Sequence, residues 1–269
     1  MVNRARTGLS GEALEVRECT TMEEFDACIE LQRDVFALPD LEISPRRHLI
    51  VSRRAGGWTL GAFDKGELVG FVHQMAAARD NREIIGYSHM MAVRREYQNR
   101  GVGSLLKWMQ RQKSIDEGKR FITWTWEPMQ ARNAHFNLNR LGVSVRDYGV
   151  NFYGTDYSTS GAYDPKHAPG IDSDRLFADW ELLSLRVVTL HAGREPEPRG
   201  PAAKTIEIPP DWYGLIQSDP ERARREQLRV RAEFEEAFKE GLICAAFERD
   251  TERPRYLLYE NAELKQKAE

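Results

Sequence analysis

The sequence contains little cysteine and no long apolar run. Its three cysteines, Cys19, Cys28 and Cys244, show no paired spacing and no clustering with histidines. We therefore expect reduced thiols in a cytoplasmic protein, and no metal site. No segment approaches the ~20 uninterrupted apolar residues of a membrane span, so no membrane partner is expected. The first eleven residues include two arginines but no apolar core, so no secretory signal is expected.

Charge of one sign is not in excess either. The chain has 39 basic and 42 acidic residues among its 269, a formal net charge of −3. This balance argues against a nucleic-acid partner bound through bulk charge. A hydrophobic content of 41% with 30% charged residues is ordinary for a soluble globular protein. The length allows one large domain or two modest ones.

The most informative stretch is 88–104, an apolar run followed by RREYQNRGVGS and then a helical pattern. It lacks the Lys-Ser/Thr that follows the last glycine of a P-loop, and it is not G-x-G-x-x-G. Gly101 and Gly103 have no Cβ, so the backbone can turn its N–H groups outward toward a ligand. The helix start adds unpaired N–H groups and partial positive charge, which suit a pyrophosphate. The alternative is an ordinary glycine-bearing loop.

Local patterns predict the element order β-α-α-β-β-β-α-β-α-β over the first part of the chain. A strand–helix–strand passage across the glycine turn implies one parallel pair in a mostly antiparallel sheet. The predicted elements from the hairpin onward are strands Trp58–Phe63, Glu67–Met75 and Ile84–Val93, helix Ser104–Glu117, strand Phe121–Trp126, helix Ala131–Leu141 and strand Val143–Tyr153.

The segment Gln98-Asn99-Arg100-Gly101-Val102-Gly103, preceded by Ala92-Val93, resembles the acyl-CoA signature of the GNAT superfamily of N-acyltransferases. The resemblance implies an α/β (α+β) GNAT fold, a mixed and mostly antiparallel sheet flanked by helices, with a C-terminal α/β extension. It also implies acetyl-CoA or another acyl-CoA as co-substrate. TWTWEP, RNAHFNLNRLG and NFYG resemble a bacterial subgroup of predicted acyltransferases associated with N-acylamino-acid racemases, some of which look like amino-acid N-succinyltransferases.

We expect three regions along the chain: a GNAT acyltransferase domain at 12–158, a loop, strand and Pro-rich linker at 159–203, and a strand–helix–hairpin extension at 204–260. Gly154–Ser173 predicts a long loop of the kind that serves as a lid. Trp180–Leu190 predicts a strand. The extension has no glycine turn, so we expect it to serve structure, dimerisation or substrate-site support, and a homodimer is among the expected assemblies.

The resemblance assigns residues to the co-substrate. The backbone groups of Met91, Ala92 and Val93 would bind the pantetheine arm as an added strand does. Asn133 matches a helix asparagine that contacts CoA in many relatives, the alternative being a polar residue near a helix start. The turn itself would hold the pyrophosphate through Gln98, Asn99, Arg100, Gly101, Val102, Gly103 and Ser104.

The catalytic candidates are less defined. His89 matches the position of a base in the arylalkylamine branch, and it would titrate near ~6.5 unless perturbed; the alternative is a partly buried structural histidine. The family's usual tyrosine acid falls at Leu138, so His135, Tyr148 and Tyr153 are its possible replacements, each with a structural alternative. Glu127 could bind a substrate amine or be a solvated strand-end carboxylate.

The sequence thus predicts an acyl-CoA-dependent N-acyltransferase that transfers an acetyl or succinyl group to a primary amine of a small molecule, with an amino acid as one candidate. The alternative is a non-catalytic acyl-CoA-binding or sensing protein, because a fold permits both.

Overall fold

The computed structural model describes residues 3–5, 14–36, 40–157 and 169–261. They form two compact units, and the chain passes from the first to the second between Thr123 and Trp124. No helix in these ranges is both long and apolar enough to cross a lipid bilayer. Part of the expected lid, residues 158–168, lies outside the described residues.

The first unit is a sheet with three helices. Its elements are β1 (Asn3–Ala5), β2 (Leu14–Glu18), α1 (Met22–Phe36), α2 (Arg46–Arg54), β3 (Trp58–Asp64), β4 (Glu67–Ala78), β5 (Ile84–Val93), α3 (Val102–Asp116) and the beginning of β6 (Phe121–Trp126). The strands lie in the order β1-β2-β3-β4-β5-β6. Every neighbouring pair is antiparallel except β5 and β6, which are parallel.

Two apolar cores lie on opposite faces of this sheet. Successive side chains of a strand point to opposite faces, so Phe71 and Val72 of β4 enter different cores. Val72 packs with Leu106 of α3. Phe71 packs with Phe25 of α1 and Leu49 of α2. Helix α3 therefore covers one face of the sheet, and α1 and α2 cover the other.

The second unit begins with the end of β6 and contains α4 (Ala131–His135), β7 (Ser144–Gly149), β8 (Arg175–Glu181), α5 (Leu185–His191), β9 (Lys204–Glu207), α6 (Trp212–Ser218), α7 (Pro220–Lys239), β10 (Leu242–Glu248) and β11 (Arg255–Glu260). Its strand order is β8-β7-β10-β11-β9, with antiparallel neighbours. Helix α7 buries Val230, Phe234 and Ala237.

An ion pair joins α7 to the segment before β8. Arg231 donates from Nε and Nη2 to the two carboxylate oxygens of Asp174, at 2.9 Å each, and from Nη2 to Asp172 at 2.7 Å. Asp174 also accepts a hydrogen bond from the Tyr148 hydroxyl at 2.7 Å. The buried Asp174 is thus fully engaged, as a buried charge must be if it is not to destabilise the fold.

The predicted element order from β2 to β7 is confirmed, and so is the parallel pair. The strand predicted at Trp180–Leu190 is wrong. Strand β8 ends at Glu181, and α5 begins at Leu185. The run LLSLRVVTL is too uniformly apolar for its period to separate a strand from a helix, whereas Ser184 stands at the N-cap position of α5. The helix predicted at Ala131–Leu141 changes to a π-helical turn after His135.

Truncating the core of α7 should destabilise the protein. Phe234 is fully buried, with its ring centroid 5.1 Å from that of Tyr256. We expect Phe234→Ala to lower the free energy of unfolding by about 3–5 kcal/mol, measured by urea denaturation, because it removes buried area and leaves a cavity. Leu228→Ala, on the same helix but 46% exposed, is the control and should change stability by about 0.5 kcal/mol or less. Equal losses in the two variants would contradict this packing.

Candidate active site

The glycine turn leaves the start of α3 open. Gly101 adopts a left-handed conformation with φ of +87° and immediately precedes Val102, the first residue of the helix. A Cβ atom at Gly101 would meet no atom within 4 Å. The Leu105 N–H donates to the Gly101 carbonyl at 2.9 Å. The N–H groups of residues 102–104 therefore have no intrahelical acceptor and carry the positive end of the helix dipole.

Side chains around the turn hold it against the sheet. Gln98 donates from Nε2 to the Val93 carbonyl at 2.9 Å, which ties the turn to the end of β5. The Tyr97 hydroxyl donates to Asp64 at 2.6 Å. Asn99 takes a positive φ of 59°, and both Asn99 and Arg100 are exposed. These hydrogen bonds thus fix the turn against the sheet, and its solvent-exposed side carries the Arg100 guanidinium and the Asn99 amide.

Among the described residues, strand β5 pairs along most of one edge and along only a short part of the other. Its residues Met91, Ala92 and Val93 pair with β4. On the other edge, the register with β6 consists of Gly86↔Ile122 and Tyr87↔Thr123. Within the described part of the chain, the register with β6 stops at Tyr87. An extended ligand could therefore hydrogen-bond to the 91–93 backbone as an added strand.

His89 is the extra residue of a β-bulge. The β4–β5 register runs His73↔Met90 and then Gln74↔Ser88, so His89 has no partner of its own on β4. A bulge of this kind bends the strand and redirects a side chain, which is why bulges are frequent next to active sites. The sequence offered no sign of the bulge, because it arises from pairing between strands.

The His89 imidazole is neutral at physiological pH. Burial, and secondarily the nearby His48 ring, lowers the pKa of His89 to about 4. The side chain nevertheless has an exposed surface, so water reaches the ring while the protein surrounds the rest of it. Its Nε2 lies 3.3 Å from Oγ of Ser44. A neutral ring with access to water can accept a proton at pH 7.

A buried polar network lies under the bulge, on the α3 side of the sheet. Lys107 donates to the Ser88 hydroxyl at 2.8 Å, and this hydroxyl lies 3.3 Å from Oε1 of Gln110. Gln110 donates to Gln74 at 3.0 Å, and Gln74 donates to Ser114 at 2.9 Å. All five side chains are buried. Ser88 and Gln74 are the register partners on one side of the bulge, so the network holds the strands where their pairing shifts.

Two of the predicted ligand residues lie at the end of β6 and in α4, in the second unit. The Glu127 carboxylate accepts hydrogen bonds from Trp212 Nε1, from the Tyr213 hydroxyl at 3.2 Å and from Gln130 at 2.7 Å. Asn133 donates to Gln130 at 2.7 Å. Glu127 thus has a structural role in holding α6, and its role in substrate binding stays a prediction.

The candidate acids also belong to the second unit. The Tyr153 hydroxyl lies 3.3 Å from the Thr125 hydroxyl, and its exposed ring has Arg175 at 4.9 Å from the centroid. Burial, together with Arg249 and Arg140, lowers the pKa of His135. Leu138 is fully buried.

Tyr148 is less suited to donate a proton. Its hydroxyl already donates to Asp174. Burial, followed by the charge of Asp174, raises the pKa of this phenol well above its ordinary range.

The sequence reasoning did not single out His48, His73 or Lys107. Their surroundings come from contacts distant in sequence, so a lone histidine or lysine gave no signal. In the described ranges, no group of three or more His, Cys, Asp or Glu side chains is arranged to hold a metal ion.

Lys107 should make stability depend on alkaline pH. The side chain is 3% exposed, and burial lowers its pKa from 10.5 to about 7. Below pH 7 Lys107 is charged in both the folded and the unfolded protein, so the folded protein bears the full cost of the buried charge. As pH rises from 7 toward 10.5, Lys107 loses its proton in the folded protein before it does in the unfolded protein, and the free energy of unfolding of the wild type increases. We expect Lys107→Met to be stabilising relative to the wild type near pH 7, and this difference should shrink toward about pH 10. Urea unfolding across this range measures it. A pH-independent difference would contradict the lowered pKa.

The region around the glycine turn is similar in sequence to a known protein family. Residues 22–142 match the model of the acetyltransferase (GNAT) family. No curated protein sequence matches the chain. A candidate acetyltransferase of the GNAT family from Desulfovibrio desulfuricans has a similar structure, with a TM-score of 0.50 and 15% identity, covering 63% of this chain and 99% of its own. A candidate acetyltransferase from Acinetobacter baylyi ADP1 gives a TM-score of 0.50 and 15% identity, covering 65% and 94%.

These structural likenesses concern the fold, and the family match concerns the segment that carries β5, the glycine turn and α3. Residues 22–142 are thus similar to the GNAT acetyltransferase family, and the chain has the GNAT fold.

Proposed function

We propose that the protein transfers an acetyl or succinyl group from acyl-CoA to the primary amine of a small molecule, with amino acids as the first acceptors to test. One observation carries the proposal: the turn after β5 leads to the open, positively polarised start of α3, and among the described residues the register of β5 with β6 stops at Tyr87. The first feature suits a pyrophosphate and the second suits a pantetheine arm. The subgroup resemblance of TWTWEP and NFYG favours amino acids and a succinyl donor.

In this proposal the co-substrate binds along β5 and the turn. Met91, Ala92 and Val93 offer backbone groups to the pantetheine arm. Residues 98–104 surround the pyrophosphate, with the N–H groups of 102–104 as donors and Arg100 as an exposed cation. Asn133 is the proposed further contact from α4.

His89 is the proposed base. A substrate ammonium must lose one proton before it attacks the thioester carbon. As the C–N bond forms and the C–S bond breaks, the nitrogen loses a second proton and the CoA thiolate gains one. The net reaction therefore releases one proton per ammonium acylated. A neutral imidazole with access to water can take that proton directly or through water. Tyr153 or His135 is the proposed donor to the thiolate, and Glu127 the proposed partner of the amine.

The second candidate function is a non-catalytic acyl-CoA sensor. It is favoured by the buried Leu138, which stands where the family's tyrosine acid is expected. Thiol release from acetyl-CoA and succinyl-CoA, with a panel of amines and amino acids, separates the two functions. Release that depends on an amine supports the enzyme; tight acyl-CoA binding without release with any acceptor supports the sensor.

The proposal includes a cytoplasmic location, supported by three free, buried cysteines, and a homodimer. Leu183, Leu185 and Val188 of the second unit are exposed apolar side chains that suit contact with another chain. Sedimentation equilibrium of the wild type and of Leu185→Glu tests the dimer; a monomer at all concentrations excludes it.

Gly103→Asp should abolish CoA binding. Gly103 lies in the first turn of α3, and its added Cβ would meet Met91 at an ordinary 3.5 Å, so the helix tolerates the substitution while the carboxylate repels the pyrophosphate. Isothermal titration calorimetry with CoA measures the loss. Gly200→Asp, at a glycine without a positive φ and with no atom within 4 Å of its Cβ, is the control and should bind CoA normally. Wild-type affinity in Gly103→Asp would contradict the assignment.

His89→Ala should lower kcat by roughly 10²–10⁴-fold, the usual contribution of positioned acid–base catalysis, with CoA affinity nearly unchanged. A protonated His89 cannot accept a proton, so activity should fall as pH drops through its pKa of about 4. This limb lies below the value near ~6.5 expected from the sequence alone. His191→Ala, an exposed histidine of α5, is the control.

The measurement is the pH profile of kcat/KM with several amines of different pKa. The acidic limb should be the same for every amine and should disappear in His89→Ala. A limb that moves with the pKa of the amine and survives in His89→Ala would mean that another group takes the proton.

A further inference from the structure

The rings of three histidines from three different elements lie together in the first unit. His48 of α2 has its ring centroid 5.2 Å from that of His73 on β4 and 5.2 Å from that of His89 on β5. His73 and His89 are 6.1 Å apart. His48 is therefore the middle ring, in contact range of both others.

The nitrogen atoms of this cluster are unevenly satisfied. Nδ1 of His73 lies 2.9 Å from the Thr59 hydroxyl, and His73 is 0% exposed. Nε2 of His73 and Nε2 of His48 are buried and have no hydrogen-bond partner among the described residues. A buried polar atom without a hydrogen-bond partner destabilises the fold, because it has lost its hydrogen bonds to water and gained none in the protein. Two such atoms on adjacent rings suit a shared proton or one bridging water, since such a water needs only a few polar partners.

The tautomer of His73 is assigned from Nδ1, the ring nitrogen that lies beside the Thr59 hydroxyl. A hydroxyl oxygen can accept a hydrogen bond, so we take Nδ1, which lies 2.9 Å from the Thr59 hydroxyl, as the protonated nitrogen. The neutral ring then has its lone pair on Nε2. That lone pair can accept a hydrogen bond from His48, as an orienting group does behind an acid–base imidazole.

We propose that His48 is a second acid–base residue of the site: it takes, directly or through one water, the proton that His89 removes from the substrate ammonium, and it releases that proton to solvent. His73 is the positioning residue that orients His48. This inference rests on the proposed function, because it assigns the exit of the one proton that acylation of an ammonium releases.

Exposure sets the direction of the relay. His73 is fully buried and cannot pass a proton to water, whereas His48 is half-buried on α2 and His89 is exposed. A substrate ammonium held at His89 would cover the solvent side of that ring, so the proposal routes the proton through His48 while the substrate is bound. Burial lowers the pKa of His48. Burial, then His48 and then His89, lowers the pKa of His73 to about 3. Only one proton is therefore expected on the cluster at a time, and it should leave through the ring with access to solvent.

Charged and polar groups on the surrounding elements also contribute to the electrostatics of the first unit. Arg46 of α2 forms an ion pair with Asp26 of α1 at 2.7 Å, so the two charges offset each other. The Tyr87 ring centroid on β5 lies 6.5 Å from that of His89. Hydroxyl groups contribute from β3 and from the residue two places before α2: Thr59 and Ser44.

The kinetic test uses His48→Gln, with His191→Gln as the matched control. We expect His48→Gln to lower kcat toward the lower end of the roughly 10²–10⁴-fold worth of an acid–base group, with KM for acyl-CoA unchanged. The lost rate should return in proportion to added imidazole buffer at constant pH and ionic strength, because a small base replaces the missing proton acceptor. The wild type and His191→Gln should be insensitive to the buffer.

The second test does not need activity. Long-range ¹H–¹⁵N NMR of the imidazoles, recorded across pH in the presence of EDTA, reports the tautomer and titration of each ring. We expect the pKa of His89 to rise in His48→Gln, because the neighbouring imidazole no longer opposes its protonation. His73 should show Nδ1–H in the wild type. If His48→Gln loses the wild-type circular-dichroism spectrum, His48→Asn takes its place.

A His48→Gln enzyme with wild-type kcat and no response to buffer overturns the relay. So does a slow variant that imidazole does not rescue and in which His89 titrates unchanged, since that pattern means a purely structural role. A wild type that releases no thiol with any amine contradicts the proposed function instead, and the NMR titration then decides alone whether the rings share a proton.

Discussion

Strand β5 must satisfy its backbone on one edge while the other edge stays open, and the rest of the site depends on that constraint. A strand that is hydrogen-bonded along one edge only can shift its register unless the pairing on that edge is well defined. Here β4 supplies that edge on both sides of the bulge at His89. The open edge is then free for a ligand, and the glycine turn brings the start of α3 to the end of the same strand. In the proposed function, one strand thus provides both the backbone donors and the route to the anion site.

At the bulge, the two faces of β5 carry different sets of polar side chains. On one face, Ser88 joins a buried network with Lys107 and Gln110. On the other, His89 joins His48 and His73. In a low-dielectric interior a polar network is stable only when its members are satisfied. The network under Ser88 meets that condition through hydrogen bonds among five side chains, whereas two nitrogens of the histidine cluster have no partner among the described residues. The stable network therefore suits a support, and the unsatisfied cluster suits a proton-transfer site.

Much of this could be predicted from the sequence, because strand–turn–helix is local. The glycine turn, the helix after it and the hairpin before it follow from residues within a few positions of each other, and the family match agrees with them. The bulge and the histidine cluster depend on pairings across β4, β5 and α2, so no local pattern contained them. The same reason explains the low pKa of His89, which needs knowledge of what surrounds the ring. The strand predicted at Trp180–Leu190 failed for a different reason, because a predominantly apolar run does not distinguish a strand period from a helix period. The roles of Tyr153, His135, Asn133 and Glu127 stay predictions.

The central claim is that the start of α3 and the edge of β5 bind CoA. Backbone ¹H–¹⁵N NMR of the full chain, recorded during titration with CoA, tests it most directly. The account predicts the largest shifts at the amides of 99–104, smaller ones at 91–93, and little change at the amides of α7. Saturable binding whose shifts lie in α7 and leave the glycine turn unaffected would contradict it, as would no shift at all at millimolar CoA.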